Sequence, residues 1–278
     1  MILVTAAGGQ TGLAVTGALR RRGLAVRGLV RGAGAVGELT AAGAEVVVGS
    51  LRDDEATAAA LQGCAAVYLI WPNFDADEFE GATRLARRAR EAGAARLVYH
   101  SVLRPHLESM PHHWQKLRVE EFLDTLDLDH RTVQPCAYLD NIGRQVEAAR
   151  STGRFVSPWG LDARLSYVDL RDVADVAARL LTTDGLDGGT FELCGPRPLA
   201  ARDIADALGR HLGRPVEAVD APPAPGAADD YAARCLNLMS GYYRDLGFAG
   251  PSLVLESLLG RAPRTLADYV GTLDGRAA

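Results

Sequence analysis

The chain has 278 residues, of which 48% are hydrophobic and 23% are charged, and its formal net charge is −5. This is an ordinary globular composition, and the length suits one large domain or a domain with a small lobe. The acidic balance argues against a nucleic-acid groove, which needs a basic face. No apolar run approaches the roughly 18 residues of a membrane span.

The first residues of the chain predict a binding site for a dinucleotide. Residues 1–5 are apolar and predict a buried strand, residues 6–12 are mostly small, and residues 13–22 predict a helix. A glycine-rich turn between a strand and a helix binds pyrophosphate, because backbone N–H groups and the helix dipole favour negative charge. The predicted cofactor contacts here are Ala7, Gly9, Gln10, Thr11 and Gly12.

The glycine spacing in this turn departs from both common dinucleotide-binding patterns. G-x-G-x-x-G needs glycine at position 7, and G-x-x-G-x-x-G needs it at position 6, but Ala6 and Ala7 stand there. A glycine pattern alone is a weak signal. The predicted strand before the turn and the predicted helix after it supply the context that supports a ligand site.

The four cysteines lie far apart, at positions 64, 136, 194 and 235, and form no C-x-x-C pair. Their spacing predicts neither a zinc site nor a disulfide framework. A strand that begins at residue 1 or 2 leaves no room for a secretory leader. We therefore expect a reduced, cytoplasmic protein without a metal site.

Strands and helices alternate through the first half of the chain. The predicted strands after the first are 25–30, 44–48, 65–70, 96–101 and 131–134, and the predicted helices between them are 34–42, 54–61, 77–92 and 113–126. Near-continuous apolar strands suit a parallel sheet covered on both faces. The sequence thus predicts an α/β fold with a doubly wound, mostly parallel sheet, whose ligands bind beyond the carboxyl ends of the strands.

The second half is less regular and predicts a smaller, mainly helical carboxyl-terminal lobe. Strands are predicted at 165–168 and 189–193, a loop at 221–226, and helices over most of 227–269. We predict a nucleotide-binding domain at 1–150 and a substrate lobe at 151–278, with strands of the second half returning to the main sheet.

Arg31 directly follows the second predicted strand, where an acidic residue would bind the ribose 2′-hydroxyl of NAD. No Asp or Glu lies between Gly12 and Glu38, and the planar guanidinium of Arg31 suits a 2′-phosphate. We therefore predict NADP(H) as the cofactor. Further cofactor contacts are predicted at the ends of later strands, at Ser50, Ile70, Trp71 and Pro72, although Trp71 also suits the core or a substrate-pocket wall.

Several motifs together resemble the NmrA-like branch of the atypical short-chain dehydrogenase/reductases. They are Gly9-Gln10-Thr11-Gly12, Leu29-Val30-Arg31, the segments 98–103, 113–116 and 134–141, Glu120-Glu121, Asp169-Leu170-Arg171-Asp172-Val173-Ala174 and the segment 260–266. The resemblance spans nearly the whole chain. It implies an NADP(H)-binding Rossmann domain and a small substrate lobe, in a branch that contains quinone and enone reductases, phenylpropanoid-type reductases and non-catalytic redox sensors.

The resemblance also implies catalytic positions. The wider superfamily uses Ser, Tyr and Lys, and Ser101 and Lys116 stand at the family's serine and lysine positions. The tyrosine expected four residues before the lysine is replaced by His112. The resemblance places Tyr138 and Asn141 at the cofactor and substrate cleft, and Tyr138 is a second candidate proton donor.

His112 and His113 are candidate replacements for the missing tyrosine. In a helix, His112 and Lys116 share one face at i, i+4, His113 lies beside them, and Pro111 suits the first turn. An imidazole titrates near neutral pH and can donate a proton, although a neighbouring lysine cation lowers its pKa.

We therefore expect an NADPH-dependent reductase of a conjugated carbonyl, quinone or similar apolar small molecule. Two alternatives stay open at this point: an NADP(H)-binding sensor without turnover, and a non-redox isomerase, lyase or cyclase on the same fold. The expected partner is a small apolar substrate and neither nucleic acid nor membrane, with a homo-oligomer or a protein partner left open.

Overall fold

The fold is known from a computed structural model, which describes residues 1–221 and 230–273. The loop predicted at 221–226 lies outside the described residues except for Ala221, as does the beginning of the predicted helical segment 227–269.

The described residues contain eleven strands. They are β1 (Ile2–Val4), β2 (Val26–Val30), β3 (Glu45–Val48), β4 (Ala66–Leu69), β5 (Arg96–His100), β6 (Asp129–Pro135), β7 (Ala137–Tyr138), β8 (Arg154–Ser157), β9 (Tyr167–Val168), β10 (Thr190–Leu193) and β11 (Glu217–Asp220).

Seven of these strands form the central sheet, in the order β10-β6-β5-β4-β1-β2-β3. The pairings from β3 across to β6 are all parallel. Beside β6, the segment that leads into β10 is also parallel. Gly188 N–H donates to the carbonyl of His130, and Thr132 N–H donates to the carbonyl of Gly189. The predicted doubly wound parallel sheet is confirmed, and the strand order reverses between β1 and β4.

The sheet is buried on both faces, as its apolar strands predict. Every residue of β4 is buried, and Val67, Tyr68 and Leu69 have no exposed surface. Ala-rich and Leu-rich faces of the helices cover the strands; Ala82, Ala86 and Ala89 of one of them belong to the same core as β4. Because both faces of the sheet are buried, these strands lack the alternation of apolar and polar residues that is typical of a half-exposed strand.

Twelve α-helices lie in the described residues. They are α1 (Gln10–Arg21), α2 (Val36–Ala41), α3 (Asp54–Leu61), α4 (Glu78–Glu91), α5 (Pro111–Leu123), α6 (Asp140–Gly143), α7 (Val146–Thr152), α8 (Leu170–Thr182), α9 (Ala201–Leu212), α10 (Tyr231–Leu246), α11 (Leu253–Leu259) and α12 (Leu266–Val270).

Helix α5 carries most of the predicted catalytic positions. It begins at Pro111, whose missing N–H costs nothing in a first turn, and the carbonyl of Met110 accepts the first helical bonds. The predicted helix at 113–126 starts two residues too late, because it leaves out this proline. The observed start confirms that His112 and Lys116 share the helix at i, i+4.

The chain divides into two compact units, each built from two segments. The first unit contains residues 1–134 and 173–191, and the second contains 135–172 and 192–278. The predicted domains, 1–150 and 151–278, are contiguous segments, whereas each of these units combines two segments that are separate in the sequence.

The second unit contains many helices and two small sheets. Its strands pair as β7 with β9 and as β8 with β11. The buried carboxylate of Asp172 accepts from the Arg261 guanidinium at 2.8 Å, from Arg264 N–H at 2.7 Å and from the Arg264 guanidinium. Asp172 therefore anchors the start of α8 to the chain before α12. No helix within residues 1–221 and 230–273 is long and apolar enough to cross a membrane.

Candidate active site

The first unit brings most of the predicted site residues to one edge of the sheet. Because the strands are parallel, the residues that follow them share the carboxyl edge: Gly9 lies after β1, Arg31 after β2, Ile70 after β4 and Ser101 after β5. Ligands of open α/β sheets bind at this edge, near the point where strand order reverses.

In the turn after β1, an alanine adopts a backbone conformation that is usual for glycine. Ala6 has φ 45°, a left-handed conformation that glycine adopts without strain, and it stands where one common pattern has glycine. A Cβ at Gly12 would lie 2.5 Å from the Ala7 Cα and 2.6 Å from the Ala6 carbonyl oxygen. Position 12 therefore requires glycine, because α1 packs directly against the backbone of the turn.

The N-terminus of α1 suits an anion. Gly9 is its N-cap, and among the described residues no side chain caps this end and no acidic residue occupies its first turn. A Cβ at Gly8 would lie 2.7 Å from the Cβ of Ala35, so the approach to the helix is also built around glycine. A phosphate group fits this combination of positive dipole, backbone N–H groups and close backbone. Gln10 and Thr11 form the first positions of the helix.

Two predicted nucleotide contacts follow β2 and β3. Arg31 is exposed and has no hydrogen bond or ion pair with the rest of the described chain. Ser50 is half-buried, and its hydroxyl accepts from Arg52 N–H at 3.1 Å. Their roles toward a nucleotide stay predictions.

The segment after β4 is fixed to the end of β1. The Thr5 hydroxyl donates to the Ile70 carbonyl and accepts from Ile70 N–H, both at 2.7 Å. Trp71 is 2% exposed and belongs to the core, where its ring lies against Gly81 of α4. Pro72 is exposed. The indole of Trp71 therefore occupies the core, which is one of the three positions predicted for it, beside a cofactor contact and a substrate-pocket wall.

Lys116 of α5 forms a buried ion pair with Glu78 of α4. Its Nζ is 2.6 Å from the Oε1 of Glu78, and the hydroxyl of Tyr99 donates to the same oxygen at 2.8 Å. The Glu78 side chain is 1% exposed. Burial raises the pKa of Glu78, whereas Lys116 and Tyr99 act to lower it. Since the Oε2 of Glu78 has no hydrogen bond within the described residues, the carboxylate keeps one acceptor position unused.

A second carboxyl, the half-buried Glu120, lies one turn further along α5. Ser101 donates its hydroxyl to the Oε1 of Glu120, and the side-chain amide of Gln134 donates to Oε2 at 2.8 Å and to Oε1 at 3.1 Å. Burial raises the pKa of Glu120 to about 7, against the lowering effect of Ser101, Gln134 and Lys116. This carboxyl therefore exchanges a proton near neutral pH.

Both histidines of α5 are buried and neutral. His112 is 2% exposed and has its ring edge against Phe74, 4.8 Å between centroids, and against His113, 4.5 Å. Burial lowers the pKa of His112 to about 3 and of His113 to about 4, and Lys116 contributes to both shifts. The titration near neutral pH expected for these imidazoles is therefore wrong, because burial outweighs their ordinary basicity. Their catalytic roles stay predictions.

Tyr138 and Asn141 belong to the second unit. Tyr138 is half-buried at the end of β7, where it pairs with Val168 of β9, and Asn141 is exposed in α6. The neighbouring Asp140 is buried and accepts from Leu170 N–H at 3.2 Å. The roles of Tyr138 and Asn141 toward cofactor and substrate stay predictions.

Sequence reasoning predicted Lys116 and Ser101 but assigned no site role to Glu78 and Glu120, the carboxyls that they contact, or to Tyr99 and Gln134. Glu78, Tyr99 and Gln134 lie on three different elements, so their spacing along the chain gives no pattern. Glu120 alone left a signal, since it stands four residues after Lys116 and so shares its helix face.

The family model described as the NmrA-like family matches residues 1–268. The chain belongs to the NmrA-like family. The resemblance stated from its sequence motifs is thereby confirmed.

Individual proteins match over most of the chain. An NAD(P)H azoreductase of Xenophilus azovorans is 30% identical over 225 residues, 79% of this chain and 76% of the relative. A (4-alkanoyl-5-oxo-2,5-dihydrofuran-3-yl)methyl phosphate reductase of Streptomyces griseus is 34% identical over 223 residues, 78% and 75% of the two chains. The solved NADPH-dependent quinone oxidoreductase of Escherichia coli, in complex with NADPH, is 24% identical with a TM-score of 0.83 and covers 99% of this chain and 100% of its own. This last similarity shows the shared fold.

Proposed function

We propose that this protein is an NADPH-dependent reductase of conjugated, apolar small molecules. The proposal depends on one observation: β1, β4 and β5 are neighbouring parallel strands that share a carboxyl edge. The same compact unit contains the turn at residues 6–12, which suits a phosphate, and the buried Lys116–Glu78 ion pair. Two relatives that match three quarters of their own length are named as reductases, which supports the same reaction class.

The cofactor that best fits the first unit is NADP(H). The uncapped N-terminus of α1 and the close backbone at Gly12 suit the pyrophosphate. The exposed guanidinium of Arg31 suits a ribose 2′-phosphate, for which its planar fork provides two parallel hydrogen bonds. We propose Ala7, Gly9, Gln10, Thr11 and Gly12 as the residues around the pyrophosphate.

Bound NADPH supplies a hydride to the acceptor. The Lys116 ammonium is held by Glu78 at 2.6 Å, so its position is set before any ligand arrives. From there it can hold the nicotinamide ribose or polarise an acceptor oxygen. Preorganised charge of this kind costs no rearrangement during the reaction.

The acceptor class follows from the relatives and from the buried site. The two relatives are named for reducing an azo compound and a furanone that carries a methyl phosphate, and both substrates contain a conjugated, electron-poor double bond. Phe74 packs against the buried, neutral ring of His112, which packs in turn against His113, so these three rings add no charge to this part of the first unit. We propose quinones, azo dyes and enones as acceptors, and a small apolar molecule as the physiological partner.

We further propose that the protein works in the cytoplasm. Its four cysteines are all buried free thiols, which suits a reducing compartment.

The test is an NADPH fluorescence titration, repeated with quinones, azo dyes and enones present. Enhanced fluorescence that decays only when an acceptor is added supports the reductase and names its acceptor class. Enhanced fluorescence that never decays with any acceptor contradicts turnover and leaves a sensor. Absence of binding contradicts the cofactor site itself.

The variant for this test is the double substitution Lys116→Met/Glu78→Gln. The double substitution removes both charges of the ion pair, so it avoids leaving a buried charge unpaired, which would cost about 3–5 kcal/mol. We expect NADPH-dependent reduction to fall at least tenfold in a protein that still folds.

A further inference from the structure

The proposed reaction needs a proton, and the two histidines predicted to donate it are buried and neutral. A quinone or an azo bond that accepts a hydride becomes an anion and must then be protonated. His112 stands where the superfamily has its tyrosine, and it is a buried neutral ring, as is His113. These two rings carry no proton that is acidic near neutral pH, and Tyr138, the other predicted donor, belongs to the second unit.

Ser101 and Glu120 form a hydrogen-bonded pair at the edge where the acceptor is proposed to bind. Ser101 is the first residue after β5, is 3% exposed, and donates its hydroxyl to Glu120. The amide of Gln134 holds the other oxygen of Glu120 at 2.8 Å. The carboxyl is thereby fixed in one orientation, with Oε1 directed at the serine.

We propose that Glu120 stores the proton for the reduction and that Ser101 delivers it to the acceptor. This inference rests on the proposed function. Glu120 acts through Ser101 and is a positioning and proton-storing residue, whereas Ser101 Oγ is the group that meets the acceptor.

The proton moves in two coupled transfers. When Glu120 is protonated at Oε1, its O–H donates to Ser101 Oγ, and the serine hydrogen is released toward the acceptor. As the acceptor gains its hydride, the Ser101 O–H bond breaks and a bond forms between that proton and the acceptor anion. Ser101 Oγ then takes the proton of Glu120, which is left as a carboxylate held by Gln134 and regains a proton from water.

The surroundings of Glu120 allow it to exist in both protonation states. Within residues 1–221 and 230–273 the hydrogen-bond partners of this carboxyl are Ser101 and Gln134, and both are neutral. Burial raises the pKa of Glu120 to about 7, which is the range in which an acid both holds and releases protons at neutral pH. The charged and titratable groups that act on Glu120 are Lys116 on α5, Asp124 directly after α5, and Tyr99 on β5. Glu78 on α4 and His100 on β5 act in turn on Lys116.

The first test compares two acceptors that differ in their need for a proton. A quinone needs a hydride and a proton, whereas a cationic triarylmethane dye becomes neutral on accepting a hydride alone. In Glu120→Gln we expect the ratio of the quinone rate to the dye rate to fall about 100-fold, the usual contribution of a general acid. Ser101→Ala should lower the same ratio.

The matched control is Glu121→Gln, which alters the neighbouring, exposed carboxyl on the same helix. The ratio should keep its wild-type value in this variant. In the wild type the quinone rate should fall as pH rises through 7, since Glu120 then loses its proton, and Glu120→Gln should lack that step.

The second test needs no cofactor or acceptor. Carbon-13 NMR of the glutamate carboxyls in the protein alone should show one resonance that titrates near pH 7. We expect this resonance to be absent in Glu120→Gln, present in Glu121→Gln, and shifted in its titration in Ser101→Ala.

The outcomes separate this inference from the proposed function. A wild type that reduces both acceptors, with equal slowing of both in Glu120→Gln, overturns the relay and leaves the reductase intact. A wild type that reduces neither acceptor overturns the proposed function and the relay together. An NMR titration with no carboxyl near pH 7 overturns the proton store whatever the rates show.

Discussion

At the scale of single residues, the exposed Arg31 guanidinium is expected to set the choice between the two nicotinamide dinucleotides. Arg31→Glu should weaken NADPH binding about 10- to 100-fold, because it removes charge-assisted hydrogen bonds to the 2′-phosphate worth about 1.5–3 kcal/mol. Binding of NADH, which lacks that phosphate, should weaken far less. Fluorescence titrations with both cofactors measure the change.

The control for Arg31 is Arg90→Glu. Arg90 is an exposed arginine in the last turn of α4, which ends at the amino edge of the sheet. It carries the same charge change and should leave NADPH affinity unchanged. Equal NADPH affinity in Arg31→Glu and the wild type would show that the 2′-phosphate is bound elsewhere.

The strained alanine of the turn gives a prediction about stability. Ala6→Gly should relieve a φ of 45°, a conformation that costs an L-residue about 1 kcal/mol or more, and this offsets the entropy that glycine adds to the unfolded chain. The free energy of unfolding, measured with urea, should stay equal or rise. Ala95→Gly is the control, since Ala95 is exposed without a positive φ, and it should lose about 0.4–1 kcal/mol.

At the scale of secondary-structure elements, the contact between α1 and the turn depends on one glycine. Gly12→Ala would place a Cβ 2.5 Å from the backbone of Ala7, and we expect a loss of about 1–3 kcal/mol from overpacking. Gly17→Ala lies in the same helix, where the nearest atom is the flexible end of Arg21 at 3.3 Å. This second variant should gain about 0.5–1 kcal/mol from the better helix propensity of alanine.

Urea unfolding of the two glycine variants, with and without NADPH, measures these effects. Gly12→Ala should also reduce the stabilisation that NADPH provides, because α1 moves away from the phosphate site. A stability gain in both variants would contradict the close packing of α1 on the turn.

Most elements of the first unit were predictable from the sequence, whereas three short strands of the second unit were not. Helix α1 and strand β2 lie within a few residues of their predicted positions, because apolar patterns and glycine turns mark them. The sequence missed β7, β8 and β11, which have only two to four residues. Segments of that length owe their strand geometry to a partner strand distant in the chain.

At the scale of the whole molecule, buried histidines make the fold sensitive to acid. Burial lowers the pKa of His100 to about 3, of His112 to about 3 and of His113 to about 4, whereas each titrates near 6.5 when unfolded. The unfolded chain therefore binds more protons than the native protein at acidic pH. Stability contributed by these neutral rings is complete above pH 6.5 and is lost as pH falls from there toward 4 and 3.

The variant His112→Phe isolates this effect, because phenylalanine keeps the ring contacts with Phe74 and His113. Between pH 6.5 and 4.5 the wild type should lose about 2–3 kcal/mol more stability than His112→Phe. Urea unfolding across this pH range measures the difference. The control is His106→Phe, at an exposed site, which should lose stability as the wild type does.

The sequence by itself determined the α/β class, the order of strands and helices in the first half, the phosphate-type turn, and the family. These follow from local signals: apolar runs, glycine and proline positions, and motifs of adjacent residues. Ser101 and Lys116 were found in the same way, through their places in those motifs.

Only the tertiary structure decided which charged groups surround Ser101 and Lys116. Glu78 meets Lys116 across 38 positions of the chain, and Glu120 meets Ser101 across 19. Burial then made the histidines neutral and raised the pKa of Glu120 to about 7. Since the protonation of a side chain depends on its solvation and its neighbours in space, the order of residues along the chain does not contain it.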